Sequence, residues 1–213
     1  INVSLDTLDP ARFEQLTLRP GVEQVIEGIL AAREAGFEPV KLNAVAMRGV
    51  TEQDIVPLAK FSREHGLELR FIEYMPLDET DHWEREKVLL GSEILNAITE
   101  GVGPLKPASD QDPKAPALDF DYVDGGGRIG LIASVSQPFC GSCNRLRLTS
   151  DGKLRNCLFS IEETDIRAML RGGAADEEIA RAIEGSVAAK WAGHQINAAN
   201  FIKPERLMHS IGG

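Results

Sequence analysis

The sequence predicts an α/β fold, with parallel strands backed by helices, followed by a smaller α+β region. Three observations predict it. Strand and helix signals alternate through the first third of the chain, as far as Tyr74, and such a cycle lays strands side by side with helices outside them. From Pro76 the rhythm breaks, with a charged stretch through Lys87, and a Pro- and Asp-rich loop from Pro104 to Pro116 marks a boundary between modules. Beyond it, hairpin signals and two short helical patterns replace the cycle. The expected division is therefore one region at 1–100 and a second at 101–213.

The first region reads in order. Ile1-Asn2-Val3-Ser4-Leu5 already alternates as a strand does, so the chain is expected to open inside a structural element, as a piece of a longer protein. Val22, Val25, Ile26 and Ile29 follow at helical spacing, and Pro39 to Val45 is strand-like. Thr51-x-x-Asp54 reads as a capping box for a helix with Ile55, Leu58, Ala59 and Ser62 on one side, ended by Gly66 before the strand Leu67 to Tyr74. A short helical pattern covers Ser92 to Ile98. In the second region, Phe120 to Val123 and Arg128 to Val135 flank Asp124-Gly125-Gly126-Gly127, a hairpin turn. No Gly-Lys-Ser/Thr follows the glycines, so a phosphate loop is not expected there. Helices are expected over Glu163 to Leu170 and Asp176 to Ile183.

Composition narrows the function. Thirty-three acids against 23 bases give a net charge of -10, which argues against a nucleic-acid surface and confines any phosphate site to a local basic cluster. No apolar run approaches the ~20 residues that cross a bilayer, so a soluble, cytoplasmic protein without a membrane partner is expected. The 3 cysteines are too few for a disulfide framework, which leaves metal binding as their better use.

Those cysteines are the central signal. Cys140 and Cys143 sit three apart on a turn, and Cys157 arrives after a hairpin, an arrangement that can aim thiolates at one metal centre. Ser150-Asp151-Gly152 suits a three-residue hairpin loop with glycine in the left-handed conformation. Thr149 then faces Lys153, Arg147 faces Arg155, and Arg145 faces Cys157, with the arginines and Cys157 on one sheet face. Two arginines opposed across strands repel, so Arg147 and Arg155 are expected to share an anion such as phosphate. A closed zinc site with His194 as fourth ligand, in an interaction module, stays open as an alternative. The other reading is a 4Fe-4S cluster held by three thiolates with one iron left open.

Cys-x-x-Cys-Asn-Arg-Leu-Arg-Leu-Thr, then Asp-Gly-x-Leu, then Asn156-Cys157-Leu158, resembles the second-cluster segment of the GTP 3',8-cyclase family, radical-SAM enzymes of molybdenum-cofactor biosynthesis. The resemblance extends to Asn2-Val3-Ser4-Leu5-Asp6, Val40-Lys41-Leu42-Asn43, Phe71-Ile72-Glu73-Tyr74-Met75-Pro76 and Met208-His209-Ser210-Ile211-Gly212-Gly213. It implies the C-terminal part of an incomplete TIM-like radical-SAM (β/α) barrel with a smaller α+β cluster-binding domain. It further implies cleavage of S-adenosylmethionine to a 5'-deoxyadenosyl radical, abstraction of the 3' hydrogen of GTP, and attack on guanine C8. By resemblance Cys140, Cys143 and Cys157 hold the second 4Fe-4S cluster. Arg145, Leu146, Arg147 and Lys41 contact GTP, Ser4 and Met75 touch S-adenosylmethionine, and Gly212-Gly213 support catalysis from the C-terminus.

The residues add one expectation of their own: Ser4, Lys41 and Met75 should each lie toward the C-terminal ends of successive parallel strands, where such sheets bind ligands. A plainer reading has Lys41 on the helix side, paired with a carboxylate. Trp191 and Phe201 read as core or subunit contacts. The family's N-terminal Cys-x-x-x-Cys-x-x-Cys is not present, so the first cluster is expected in a preceding segment and the fragment alone is expected to be inactive. Three parallel strands would leave half a barrel with an open edge. A homodimer and a reductant protein follow from the resemblance. Another radical-SAM enzyme with an auxiliary cluster is the remaining alternative.

Overall fold

The computed structural model describes residues 1–77, 83–190, 196–198 and 201–211. Two compact units divide the chain, Ile1–Tyr74 with Glu84–Gln137, and Met75–Trp83 with Pro138–Gly213. Trp191, His194, Gly212 and Gly213 lie outside the described residues.

The first unit is an α/β layer built on one mixed sheet. Strands β1 (Asn2–Ser4), β2 (Lys41–Ala46) and β3 (Glu68–Glu73) alternate with helices α1 (Pro10–Thr17), α2 (Val22–Glu34) and α3 (Ile55–Glu64), then α4 (Gly91–Gly101) precedes β4 (Leu105–Pro107), β5 (Leu118–Tyr122) and β6 (Arg128–Ile132). The sheet order is β1-β2-β3-β6-β5-β4. β1, β2, β3 and β6 run parallel, whereas β4 and β5 are antiparallel additions. The parallel set thus has one strand more than expected. β6 pairs with β3, and β1 and β4 lie at the two edges of the sheet.

Alternation sorts the sheet's two faces. Leu42, Ala44, Leu69, Phe71, Ile129 and Leu131 are buried against Val22, Ile29, Ile55, Leu58, Ala59, Ile94 and Ile98 of the helices, each large side chain contributing roughly 1.5–3 kcal/mol of transfer free energy. Register places Asn2, Lys41, Glu68 and Arg128 side by side on the other face, with Ser4, Asn43, Arg70 and Gly130 in the next row. The helix face of α3 is the one expected from its periodicity, since Ile55, Leu58, Ala59 and Ser62 are its buried residues. Its start is not. Thr51 makes no side-chain cap; its hydroxyl donates to the Val45 carbonyl at 2.9 Å and accepts from the Met47 N–H at 2.8 Å. Asp54 instead accepts from the Thr7 hydroxyl at 2.6 Å and from Arg12 at 2.8 and 3.0 Å.

The second unit holds a small antiparallel sheet, β7 (Arg147–Leu148), β8 (Lys153–Arg155) and β9 (Thr164–Asp165), with α5 (Ile166–Arg171) and α6 (Asp176–Ala188). α5 starts later than the periodicity suggests because Thr164 and Asp165 pair with β8, and Asp165 caps the helix through the Ala168 N–H at 2.8 Å. Phe201 packs its ring edge-on against the buried Phe159, centroids 5.9 Å apart.

Candidate functional site

The hairpin that carries the cysteine segment has the expected register. Gly152 adopts φ +81, which only glycine accepts without strain, and the Thr149 N–H reaches the Lys153 carbonyl at 2.9 Å. Arg147 stands opposite Arg155 and Leu148 opposite Leu154. Strand pairing stops at Arg147, so Arg145 and Cys157 are not a ladder pair. Alternation nevertheless persists: Arg145 and Arg147 are half-buried while Leu146 and Leu148 are exposed. Leu146 thus faces away from the arginines.

Cys140 begins a 3-10 turn, Cys140–Ser142, closed by the Cys143 N–H on the Cys140 carbonyl at 3.2 Å. All three cysteines are free and half-buried. Cys143 receives two cationic donors, Arg145 Nε at 3.3 Å and Lys190 Nζ at 3.3 Å. Burial pushes this thiol up, but the Arg145 backbone and guanidinium, with Lys190, outweigh it and bring the Cys143 pKa down to about 7. Arg145 also lies over the Phe139 ring, 4.8 Å from its centroid.

Arg147 is the unanswered charge here. Its guanidinium takes no hydrogen bond or ion pair among the described residues, and its pKa is lowered first by burial and then by Arg145, partly offset by Cys157 and Cys143. Those effects place both cysteines within electrostatic reach of Arg147. Arg155 corrects the expectation of an anion shared with Arg147. It is 2% exposed and is met from inside the fold by Glu163, the Ser160 carbonyl and the Leu158 carbonyl at 3.4 Å. Among the described residues, no three His, Cys, Asp or Glu side chains converge as a preformed metal cage.

Two residues carried no sequence signal of a role at this site. Lys190, just past α6, bonds both Cys143 and the Arg145 carbonyl, the latter at 2.8 Å. Arg206 clasps Asp151 at 2.7 Å and Glu163 at 2.9 Å, fastening the C-terminal segment to the hairpin turn. Neither has a motif, because each acts on atoms far away in the sequence.

The remaining candidates belong to other places. Ser4 ends β1 and is exposed, on the sheet face opposite the helices. Lys41 opens β2 rather than closing it, which corrects the expected strand-end placement. It does pair with a carboxylate, Glu68 at 3.0 Å, but on the face away from the helices. Met75 follows β3 by two residues and is half-buried.

The strand-helix cycle at residues 1–62 matches the profile of the Radical SAM superfamily, and residues 67–196 match that of Molybdenum Cofactor Synthesis C. The class thus defined is an α/β chain of radical-SAM type with a cysteine-bearing C-terminal region. Within it, the chain belongs to the Molybdenum Cofactor Synthesis C family. It is 50% identical over its whole length to a GTP 3',8-cyclase of Rhodopirellula baltica and covers 60% of that protein. It is 46% identical to one of Streptomyces coelicolor, covering 62% of it, and 45% identical to GTP 3',8-cyclase 2 of Mycobacterium tuberculosis, covering 60%. The chain therefore spans about three-fifths of the length of these relatives. Among the described residues, no helix is long and apolar enough to cross a membrane.

Proposed function

We propose that this chain serves the GTP 3',8-cyclase reaction, in which a 5'-deoxyadenosyl radical derived from S-adenosylmethionine converts GTP to (8S)-3',8-cyclo-7,8-dihydroguanosine 5'-triphosphate for molybdenum-cofactor synthesis. In this reading the first unit is part of a TIM-like radical-SAM barrel, and Cys140, Cys143 and Cys157 hold a 4Fe-4S group. Such a group, bound by three thiolates, supplies one iron with an open position for a substrate atom. The donor set fits it in kind: three free half-buried thiols, with Arg145 and Lys190 on the Cys143 sulfur to offset the negative charge of thiolates and sulfides.

One observation carries the substrate side. Arg147 is half-buried and has no anion among the described residues, while Arg155 opposite it is already answered. A guanidinium in that state favours an incoming phosphate, which it can grip with two parallel N–H bonds. Arg145, braced between Phe139 and Cys143, is held ready beside it. Leu146 turns its side chain outward, so any part it takes in holding GTP runs through its backbone. Ser4, Lys41, Met75 and the Gly212-Gly213 terminus are the proposed contacts for S-adenosylmethionine, GTP and catalysis. All 3 cysteines are committed to one group, so the chain by itself binds GTP without turning it over.

The test is anaerobic reconstitution of the chain followed by GTP titration. We expect about four irons per chain, as a three-thiolate 4Fe-4S site requires, and loss of most iron in Cys157→Ala. Arg147→Ala should load iron normally but weaken GTP binding roughly tenfold or more, as loss of a charge-assisted pair predicts. Stoichiometric zinc with only trace iron, or unchanged GTP affinity in Arg147→Ala, would overturn the reading.

A further inference from the structure

Lys190 occupies a position that its surroundings explain only in part. A surface lysine normally leaves its ammonium in water. Here Nζ is turned inward onto Cys143 Sγ at 3.3 Å and the Arg145 carbonyl at 2.8 Å, spanning the turn between them. The same end of α6 makes a second attachment: Asn156 Nδ2, one residue before Cys157, donates to the Ser186 carbonyl at 2.9 Å. One helix terminus therefore grips the Cys-x-x-Cys turn on one side and the bend after β8 that carries Cys157 on the other. Its own carbonyls, negative at a helix C-terminus, favour a cation there.

We propose that Lys190 is a positioning residue for the iron-sulfur group. Resting on the ligand reading above, it fixes the Cys143 sulfur by an N–H···S bond and sets the group's affinity and reduction potential. Two physical effects follow from the geometry. A hydrogen bond and a positive charge at a ligand sulfur stabilise the more reduced, more negative state and so raise the potential. Bracing the turn through the Arg145 carbonyl also pre-orders Cys143 and Arg145 together, which slows release of iron. A lysine that served packing alone would do neither.

The experiment compares wild-type chain with Lys190→Met, which keeps the stem without charge or donors, and Lys190→Arg, which keeps both. After reconstitution each is assayed for iron content, midpoint potential and the rate of iron loss to a chelator. Thermal melting of the metal-free forms checks folding. Lys190→Met should show a more negative potential and about tenfold faster iron loss, the lower end of what outer-shell substitutions usually cost. Lys190→Arg should recover most of both. If wild type loads four irons and Lys190→Met matches it in potential and release rate, the proposal is wrong while the ligand reading stands. If Lys190→Arg behaves like Lys190→Met although both fold, the charge and donors are not what matters, and the proposal also fails. If wild type takes up no iron, the ligand reading itself fails, and this role for Lys190 falls with it.

Discussion

Glu73 closes β3 and is 1% exposed, yet its carboxylate is fully occupied. It accepts from the N–H groups of Val135 and Ser136, both at 2.8 Å, from that of Gly91 at 3.2 Å, and from the Ser136 hydroxyl at 2.5 Å. One side chain thus ties the end of β3 to the start of α4 and to the segment leaving β6. Glu73→Ala would strand those backbone donors in the interior, at about 1–3 kcal/mol for each that water cannot reach. We expect a loss of at least about 3 kcal/mol in the first unit, measured by hydrogen exchange at β3 and β6 amides. A loss under about 1 kcal/mol would mean that water replaces the carboxylate.

The hairpin between β7 and β8 is the element that sets out the site, and its turn was readable in advance. Ser150-Asp151-Gly152 predicts both the left-handed glycine and the Arg147–Arg155 register. A methyl group at Gly152 would meet the Arg167 Cβ at 2.5 Å, on top of its φ of +81. Gly173 has a comparable φ of +77 with open space around it. Gly152→Ala should therefore cost more than the roughly 1 kcal/mol of backbone strain that Gly173→Ala pays alone, and it should also reduce iron loading, since it displaces the strand leading to Cys157. Equal melting shifts for the two variants would show that α5 yields to the methyl. Other elements were hidden for physical reasons. β6 reads locally as half of a hairpin, whereas its parallel pairing with β3 depends on the burial of Ile129 and Leu131 against helices distant in sequence. β4 is three residues inside a Pro-rich stretch, too short for a pattern to register. Glu163 as the counter-charge of Arg155, and Lys190 as the cation on Cys143, appear only once the chain has folded back on itself.

Across the molecule, an excess of acid is managed by pairing carboxylates with arginine or lysine. Glu93 with Arg48, Asp110 with Arg128 and Asp124 with Arg63 lie in the first unit, and Asp165 with Lys153 in the second; in each, the cation's hydrogen bond holds the carboxyl below its ordinary range. Arg206 does the same to Asp151 and Glu163 together. A carboxylate with a depressed folded pKa stabilises the fold fully above its unfolded value, near 4, and that contribution is lost as pH falls through the folded value. The contribution of these pairs should therefore hold down to about pH 4 and be lost progressively below. Arg206→Gln isolates one such contribution. It should lower the second unit's stability at neutral pH, and the deficit should shrink as pH drops below about 4 and both forms protonate Asp151 and Glu163. Denaturation curves at a series of pH values, followed by hydrogen exchange at β8, would check this. A deficit that stays constant down to pH 2 would mean that Arg206 holds the C-terminal segment by packing its stem, with the ion pairs contributing nothing.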